Sequence, residues 1–163
     1  MLKKIFFLIL FSFGFIELFA QTEPAKATEK ESLVNWISLN EAEKRNKEIP
    51  KPIIIDFYTS WCGWCKVMMS STYSDPSIAS YINTNFYPVK FDAETKDTIA
   101  YDGVTYKPTG TQKRDPNEFA VKMLNGTMVY PSTVFMNKSA NFTMSAQGYL
   151  ETKKIEPMLV FTL

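Results

Sequence analysis

The chain has 163 residues, which corresponds to one domain large enough to bury its own core. Its 18 lysines and arginines nearly balance 17 aspartates and glutamates, so no basic excess is available to bind nucleic acid or an acidic membrane face. Two cysteines without any histidine fall short of the four ligands of a usual zinc site. We therefore expect no nucleic-acid partner and no metal.

Residues 1–20 have the pattern of a secretory signal peptide. Two lysines precede an apolar run at residues 5–16, and Ala20 offers a small residue before Gln21. The run is shorter than the ~20 residues of a membrane span, so we expect cleavage near Ala20-Gln21 and no stable membrane insertion afterwards. Leu18 is larger than the usual residue at its position, and an uncleaved anchor is the alternative. Cleavage would leave sixteen basic and sixteen acidic residues and a net charge of zero.

Residues 21–32 are polar and charged, which predicts a flexible tether before a domain at residues 33–163. β-Branched and aromatic runs in this domain predict five strands: Leu33–Ile37, Ile53–Tyr58, Phe86–Phe91, Ser132–Met136 and Phe142–Gln147. Capping signals predict helices directly after the two cysteines and at about residues 38–48, 75–85, 115–124 and from 152 onward. This alternation predicts a three-layer α/β fold with a mixed central sheet.

Three local signals refine these elements. Asp102-Gly103 lies between two short β-like runs and predicts a hairpin with a type I′ turn at residues 99–106. Pro88 cannot donate a hydrogen bond, so we expect it near a strand start or on a sheet edge. Pro157 comes late for a first helical turn, so the last helix is expected to start near Ile155 or to be kinked.

The two cysteines of the chain, Cys62 and Cys65, are three positions apart where the second predicted strand passes into a helix. Cys62 would stand at the helix N-terminus, whose unpaired N–H groups and partial positive charge favour a thiolate. Cysteines of Cys-x-x-Cys pairs in this position are reactive. We expect Cys62 to be exposed and Cys65 to lie one turn inside the helix.

Three other interpretations of this pair stay open. A purely structural disulfide would close a four-residue loop, worth only ~2 kcal/mol against ~3 for a fifteen-residue loop. A metal site would need further ligands from carboxylates or a second chain. Two inert core thiols are the third interpretation. A redox-active pair is the interpretation that we favour.

The segment Asp56–Lys66, Asp-Phe-Tyr-Thr-Ser-Trp-Cys-Gly-Trp-Cys-Lys, resembles the active-site segment of thioredoxins. The match includes the acidic residue six before the first cysteine, the tryptophan before that cysteine and the lysine after the second. Trp64 departs from the pattern, because thioredoxin has proline there, so no redox potential is carried over. The resemblance implies the thioredoxin fold, in which residues 96–124 are an insert that the fold does not need. We expect this insert to form a rim beside the active site and to select substrates.

Asp56 interrupts an otherwise apolar strand. Buried without a partner, its pKa would be raised, which suits a proton acceptor for Cys65; an ordinary acid facing water at a strand end is the alternative. The resemblance implies Lys90, on the neighbouring strand, as its partner.

Pro131 precedes the fourth predicted strand, where the resemblance implies a cis proline beside the disulfide. It would turn the backbone of Tyr130 toward the sulfurs, where an extended substrate could pair with it; a trans proline is the alternative. Trp61 would cover the disulfide or, alternatively, pack in the core. The remaining residues assigned to substrate contact or support of the site are Gly63, Trp64 and Lys66.

These expectations together indicate a secreted, periplasmic thiol-disulfide oxidoreductase that needs no cofactor. Cys62 would attack a disulfide of a protein substrate and Cys65 would resolve the mixed disulfide, leaving a redox-active Cys62–Cys65 disulfide. The Asp56 carboxylate would oppose a stabilised thiolate, so the direction is expected to be reduction, with electrons from a membrane-borne donor. We expect a monomer. A non-catalytic binding module that uses the groove around Tyr130-Pro131 is the alternative.

Overall fold

The computed structural model describes residues 31–163. The predicted signal peptide and residues 21–30 of the predicted tether lie outside the described residues. Ser32, assigned to the tether, is instead held by the domain, because its Oγ donates to the Tyr73 carbonyl at 3.2 Å and accepts from Trp36 Nε1 at 3.0 Å.

The described residues form five α-helices and six strands, joined in part by a 3₁₀ turn at Thr72–Ser74. The helices are α1 (Leu39–Glu48), α2 (Gly63–Ser70), α3 (Pro76–Asn85), α4 (Glu118–Met123) and α5 (Thr152–Thr162). The strands are β1 (Ile53–Tyr58), β2 (Tyr87–Asp92), β3 (Ile99–Tyr101), β4 (Val104–Tyr106), β5 (Ser132–Met136) and β6 (Phe142–Gln147). None of these helices is long and apolar enough to span a membrane.

The central sheet has the strand order β2-β1-β5-β6, with helices on both sides. β1 is parallel to β2 and antiparallel to β5, and β5 is antiparallel to β6. The expectation of a three-layer α/β thioredoxin fold with a mixed sheet is confirmed. Pro88 is the second residue of the edge strand β2, as its missing N–H requires.

Alternation along β1 decides which face of the sheet carries the predicted proton acceptor. Ile53, Ile55 and Phe57 pack into one core cluster, whereas Ile54 packs into the other, which contains Met68 of α2 and Tyr73. Successive side chains of a strand point to opposite faces. Asp56 therefore shares the face of Ile54 and lies on the side of α2.

The predicted first strand, Leu33–Ile37, is wrong: this segment makes a single bridge, from Ile37 to Val89. The N–H of Leu33 donates to the Tyr73 carbonyl at 2.8 Å, and that of Asn35 donates to the Asn83 side chain. The N–H of Ile37 does reach the Pro88 carbonyl at 2.9 Å. In a strand the N–H and C=O of one residue point to the same side, so an N–H at position 88 would point toward this segment, as the Pro88 carbonyl does. Proline has no N–H, and the ladder therefore does not continue.

The helix starts were predicted well, with one correction. Ser38 Oγ accepts the N–H of Glu41 at 3.2 Å, and Asp75 caps α3 as expected. α4 is capped by Asn117 rather than Asp115, because Asn117 Oδ1 accepts the N–H of Phe119 at 3.0 Å. α5 begins at Thr152, as predicted, with Pro157 inside it; the alternative start near Ile155 is not found.

The insert contains the predicted hairpin, with left-handed backbone at Asp102 (φ 50°) and Gly103 (φ 71°). Contrary to the expectation that the fold does not need the insert, its side chains belong to the larger core cluster. Tyr101 and Tyr106 pack edge-on against Phe119 at 5.4 and 5.3 Å between ring centroids, and Phe119 is fully buried. Removing the hairpin would therefore remove part of the core.

Candidate active site

Cys62 and Cys65 form a disulfide, with 5.3 Å between their Cα atoms. Cys62 is the N-cap of α2, and its Sγ accepts the N–H of Cys65 at 3.1 Å. Apolar β1 ends at Tyr58, and a short turn leads from it into the helix. The predicted placement of the pair at a strand–turn–helix junction is therefore confirmed.

The exposure of the two sulfurs differs from the prediction. In this disulfide form Cys62 is 4% exposed and Cys65 is 3% exposed, so Cys62 is as buried as its partner. The bond to Cys65 and the capping contact with the Cys65 N–H both direct the Cys62 side chain toward the helix. The expected exposure of Cys62 is not found in the oxidised state.

Trp61 is anchored beside the disulfide loop and is half exposed, with 51% of its surface accessible. Its Nε1 donates to both carboxylate oxygens of Glu94 at 3.0 Å. Its ring meets Tyr130 edge-on at 6.1 Å, and the Arg114 guanidinium lies 5.1 Å from its centroid. Trp61 is thus a fixed part of the rim and not a core residue.

The loop that carries Arg114 is braced from within the insert. Lys96 Nζ donates to the carbonyls of Gln112 and Asp115 at 2.6 and 2.9 Å. The N–H of Thr109 donates to the carbonyl of Pro116 at 2.9 Å and closes the loop at its base. A side chain on an exposed loop is therefore held at a defined position against Trp61.

Trp64, which lies between the two cysteines in sequence, is exposed, with 62% of its surface accessible. Its ring stacks on Tyr149 with 5.6 Å between centroids, and the Tyr149 hydroxyl lies 3.1 Å from Ser71 Oγ. A Cβ placed on Gly63 would meet no atom within 4 Å, so packing does not require glycine there. Trp61 and Trp64 therefore place two exposed aromatic side chains next to the cysteines in sequence.

The peptide bond between Tyr130 and Pro131 is cis, as expected. Pro131 is buried, and its carbonyl accepts the N–H of Gly148 at 2.7 Å. Within residues 31–163 neither the N–H nor the carbonyl of Tyr130 takes part in a hydrogen bond. Burial, with a smaller contribution from the Glu94 carboxylate, raises the pKa of the Tyr130 hydroxyl to about 12, so this side chain stays neutral.

Asp56 is completely buried, which excludes the interpretation of an acid facing water. Its Oδ1 accepts the hydroxyl of Tyr73 at 3.2 Å, whereas Oδ2 has no hydrogen-bond partner among the described residues. Burial raises the pKa of Asp56 to about 7, against the opposing effects of the Tyr73 hydrogen bond and of the Lys90 charge. A carboxyl with this pKa can change its protonation state near neutral pH.

Lys90 stands opposite Asp56 in the register of β1 and β2, but residues 31–163 contain no ion pair between them. The Lys90 ammonium lies over the ring of Tyr58, 4.6 Å from its centroid. The positions of Asp56 and Lys90 on neighbouring strands were predicted correctly, but the predicted direct pairing of their side chains is not found. Lys90 acts on Asp56 through its field alone.

Cys65, although buried, borders a cavity of about 140 Å³ that Lys66 and Lys90 also line. The buried Thr59 Oγ1 at this cavity has no hydrogen-bond partner among the described residues. The lining of this cavity is mainly apolar. Lys66, Met69 and Lys90 also line a neighbouring cleft of about 440 Å³.

Four residues of the site were missed in the sequence: Tyr73, Glu94, Arg114 and Tyr149. Glu94 alone had a usable signal, since it follows β2, and parallel strands bring their carboxyl ends to one edge of the sheet. The described residues contain no group of three or more cysteine, aspartate or glutamate side chains that could hold a metal ion.

Comparisons with known proteins agree with this architecture. The family model Thioredox_DsbH, described as a protein of unknown function (DUF255), matches residues 17–162. The thiol:disulfide interchange protein DsbD of Vibrio vulnificus is 28% identical over 67 residues, which are 39% of this chain and 11% of that protein. The chain spans between 8 and 56% of the length of four curated relatives that it matches.

Solved structures share the fold at low sequence identity. A thioredoxin from Thermus thermophilus superposes with a TM-score of 0.58 at 14% identity, covering 78% of this chain and 85% of that one. A structure titled DsbH oxidoreductase gives a TM-score of 0.53 at 17% identity, covering 84% and 89%. With the family match over most of its length, this chain belongs to the Thioredox_DsbH (DUF255) family of thioredoxin-fold proteins.

Proposed function

We propose that this protein is a thiol-disulfide oxidoreductase that reduces disulfides of protein substrates in the periplasm. The observation that carries the proposal is the Cys62–Cys65 disulfide at the N-terminus of α2, on the face of the sheet that also buries Asp56. A purely structural bond would gain little from so short a loop. The reacting groups are therefore two thiols and one carboxyl, and no cofactor is required.

The reaction begins from the reduced protein. The Cys62 thiolate attacks one sulfur of a substrate disulfide, and the other substrate sulfur leaves as a thiolate that takes a proton from water. Cys65 then gives its proton to Asp56, and its thiolate attacks the Cys62 sulfur. The second substrate thiolate leaves, and the protein is left as the Cys62–Cys65 disulfide. Two electrons have passed to the substrate.

The acid–base role of Asp56 is supported by its environment. A general base works best when its pKa lies near the working pH, and burial gives the carboxyl of Asp56 a pKa of about 7. The free oxygen Oδ2 can receive a proton without breaking an existing bond. Cys65 borders a cavity that Lys66 and Lys90 also line, whereas Asp56 does not line it.

We propose that the substrate contacts the residues around the disulfide. The backbone groups of Tyr130, free among the described residues, could pair with an extended peptide. Trp61 and Trp64 would pack on its apolar side chains, while Gly63 keeps the approach open and Lys66 adds a positive charge. Arg114 brings the insert to the same rim, which supports a role of the insert in substrate selection.

The direction and the compartment are the finer parts of the proposal. An Asp56 carboxylate on the side of the sheet that carries the cysteines would disfavour the thiolate through repulsion, and the chain has no histidine to offset it. A dithiol whose thiolate form is not stabilised is readily oxidised to the disulfide and therefore acts as a reductant. The signal-like residues 1–20 favour export, where a membrane-borne donor would supply two electrons per cycle, and the protein is proposed to act as a monomer.

The competing function is a binding module that holds partners in the groove around Tyr130-Pro131 without chemistry. Turnover separates the two. The reduced protein should cleave a fluorescent peptide disulfide faster than an equal concentration of free dithiol, and Cys62→Ser should lose this activity. A rate no greater than that of free dithiol would support the binding module.

A further inference from the structure

A line of three buried polar side chains crosses the core on the side of the sheet that carries α2. The Tyr73 hydroxyl donates to Asp56 Oδ1 at 3.2 Å and lies 3.4 Å from Thr133 Oγ1. Tyr73, Asp56 and Thr133 are all fully buried. Neither Tyr73 nor Thr133 belongs to the active-site segment, and each comes from a different element, the 3₁₀ turn and β5.

The chemistry of the groups fixes the direction of these hydrogen bonds. A hydroxyl has one proton to donate, and Tyr73 donates it to the carboxylate, so Thr133 donates to the Tyr73 oxygen. A hydrogen bond to a carboxylate favours its charged form. The same bond persists when Asp56 is protonated on its other oxygen, because Oδ1 then remains a carbonyl acceptor.

We propose that Tyr73 is a positioning residue for proton transfer: its hydroxyl holds Oδ1 of Asp56 and leaves Oδ2 to receive the proton of Cys65. The inference rests on the proposed role of Asp56. In the step, the proton passes from Cys65 Sγ to Oδ2, while the electron pair on that sulfur forms the bond to Cys62. The protonated Asp56 then returns its proton to solvent.

The ring of Tyr73 is held so that its hydroxyl cannot swing away. It meets the Trp36 ring edge-on, with 4.8 Å between centroids and 87° between the planes. The Tyr73 carbonyl accepts the N–H of Leu33 at 2.8 Å, and the neighbouring Thr72 hydroxyl donates to the Leu150 carbonyl at 2.6 Å. Residues 33–37, which do not form the predicted first strand, therefore hold Tyr73 in place.

The other groups facing Asp56 act in known directions. Lys90, from β2, favours the carboxylate through its charge, and its ammonium is engaged with the Tyr58 ring on β1. Thr133, from β5, stands opposite Asp56 in the register of β1 and β5, is neutral, and hydrogen-bonds with Tyr73 rather than with the Asp56 carboxyl. Cys65 and Lys66 come from α2, on the same side of the sheet. Tyr73 is the one hydrogen-bond donor to the Asp56 carboxyl among the described residues.

The test is Tyr73→Phe in the full chain, which removes one hydroxyl and keeps the ring against Trp36. A mixed disulfide on Cys62 is formed with a chromogenic aromatic thiol, and release of that thiol by Cys65 is followed from pH 5 to 9. Loss of a hydrogen bond to a charged group should move the midpoint of the pH–rate profile upward by about one to two pH units. At pH 6 release should slow by about tenfold or more.

Two controls make the result specific. Tyr101→Phe removes another buried tyrosine hydroxyl, remote from Asp56, and should leave the midpoint in place. Thr133→Val keeps the shape of its site and removes the donor to Tyr73, so it should move the midpoint upward by less than Tyr73→Phe. Thr133→Val also provides the test if Tyr73→Phe does not fold.

Asp56→Asn distinguishes failure of this inference from failure of the proposed function. If Asp56→Asn removes the midpoint and Tyr73→Phe shifts it, the inference holds. If Asp56→Asn removes the midpoint while both Tyr73→Phe and Thr133→Val leave it in place, Asp56 is the base and the role of Tyr73 is overturned. If Asp56→Asn leaves the midpoint unchanged, Asp56 is not the base, and the inference fails with it.

Discussion

Replacing Asp56 by asparagine should change how the stability of the protein depends on pH. Asp56 is fully buried, and burial raises its pKa from an ordinary 3.8 to about 7. Between these two values the folded protein keeps a proton on Asp56 that the unfolded chain has released. The free energy of unfolding of the natural protein therefore falls as the pH rises from about 4 to about 7.

The magnitude follows from the size of the pKa difference. Each pKa unit corresponds to about 1.36 kcal/mol, so a difference of about three units costs about 4 kcal/mol once Asp56 is ionised in the folded state. Asparagine is neutral at every pH, and its Oδ1 can still accept the Tyr73 hydroxyl. The stability of Asp56→Asn relative to the natural protein should therefore rise by about 4 kcal/mol between pH 4 and pH 8.

The assay is urea denaturation of the oxidised protein at several pH values, with the disulfide kept intact. The chain contains no histidine, the usual source of titration in this range. Asp102→Asn is the control, because Asp102 is an exposed carboxyl in a turn and asparagine tolerates its positive φ. A relative stability of Asp56→Asn that stays constant within about 1 kcal/mol from pH 4 to 8 would refute the reasoning.

Three further predictions concern the cysteines and the rim. In the reduced protein, iodoacetamide at neutral pH should modify Cys62 at least about tenfold faster than Cys65, because the helix N-terminus favours the Cys62 thiolate. Equal rates measured by peptide mapping would remove the assignment of Cys62 as the nucleophile. Equilibration with glutathione should give a redox potential nearer the about −270 mV of thioredoxin than the about −120 mV of an oxidase, and a value above about −180 mV would contradict a reductase. Arg114→Ala should slow reduction of peptide disulfides with acidic flanks by about two- to fivefold relative to neutral ones, as expected for a surface charge. The adjacent Lys113→Ala should not slow it. Equal effects of the two variants would show that the position of the Arg114 side chain over Trp61 has no role.

The reactive core of the site could be predicted because it is local in sequence. The alternation of β1, the Cys-x-x-Cys pair and the start of α2 lie within one short segment, so their relative positions follow from strand and helix geometry. Burial of Asp56 followed from its place in an apolar run. The exposure of Cys62 was predicted wrongly for the disulfide form, in which its sulfur is bonded to Cys65 and accepts the Cys65 N–H.

Residues that join the site through the fold could not be found in the same way. Arg114 meets Trp61 only because the insert folds back over the rim, and Tyr73 meets Asp56 only because the 3₁₀ turn packs across β1. No local pattern marks either residue. The wrong first strand has a similar origin, because its pairing depended on Pro88, which is distant in sequence and lacks the N–H that the ladder needs.

The central claim, that Cys62 attacks a disulfide and Cys65 resolves the intermediate, is tested most directly by intact-mass measurement of the trapped mixed disulfide. Reduced Cys65→Ser, mixed with a peptide disulfide, should accumulate a covalent adduct of one peptide on Cys62. Reduced Cys62→Ser should form little or none in the same time, and the natural protein should pass through the adduct to its intramolecular disulfide. Equal adduct on both variants, or none on Cys65→Ser, would contradict the account.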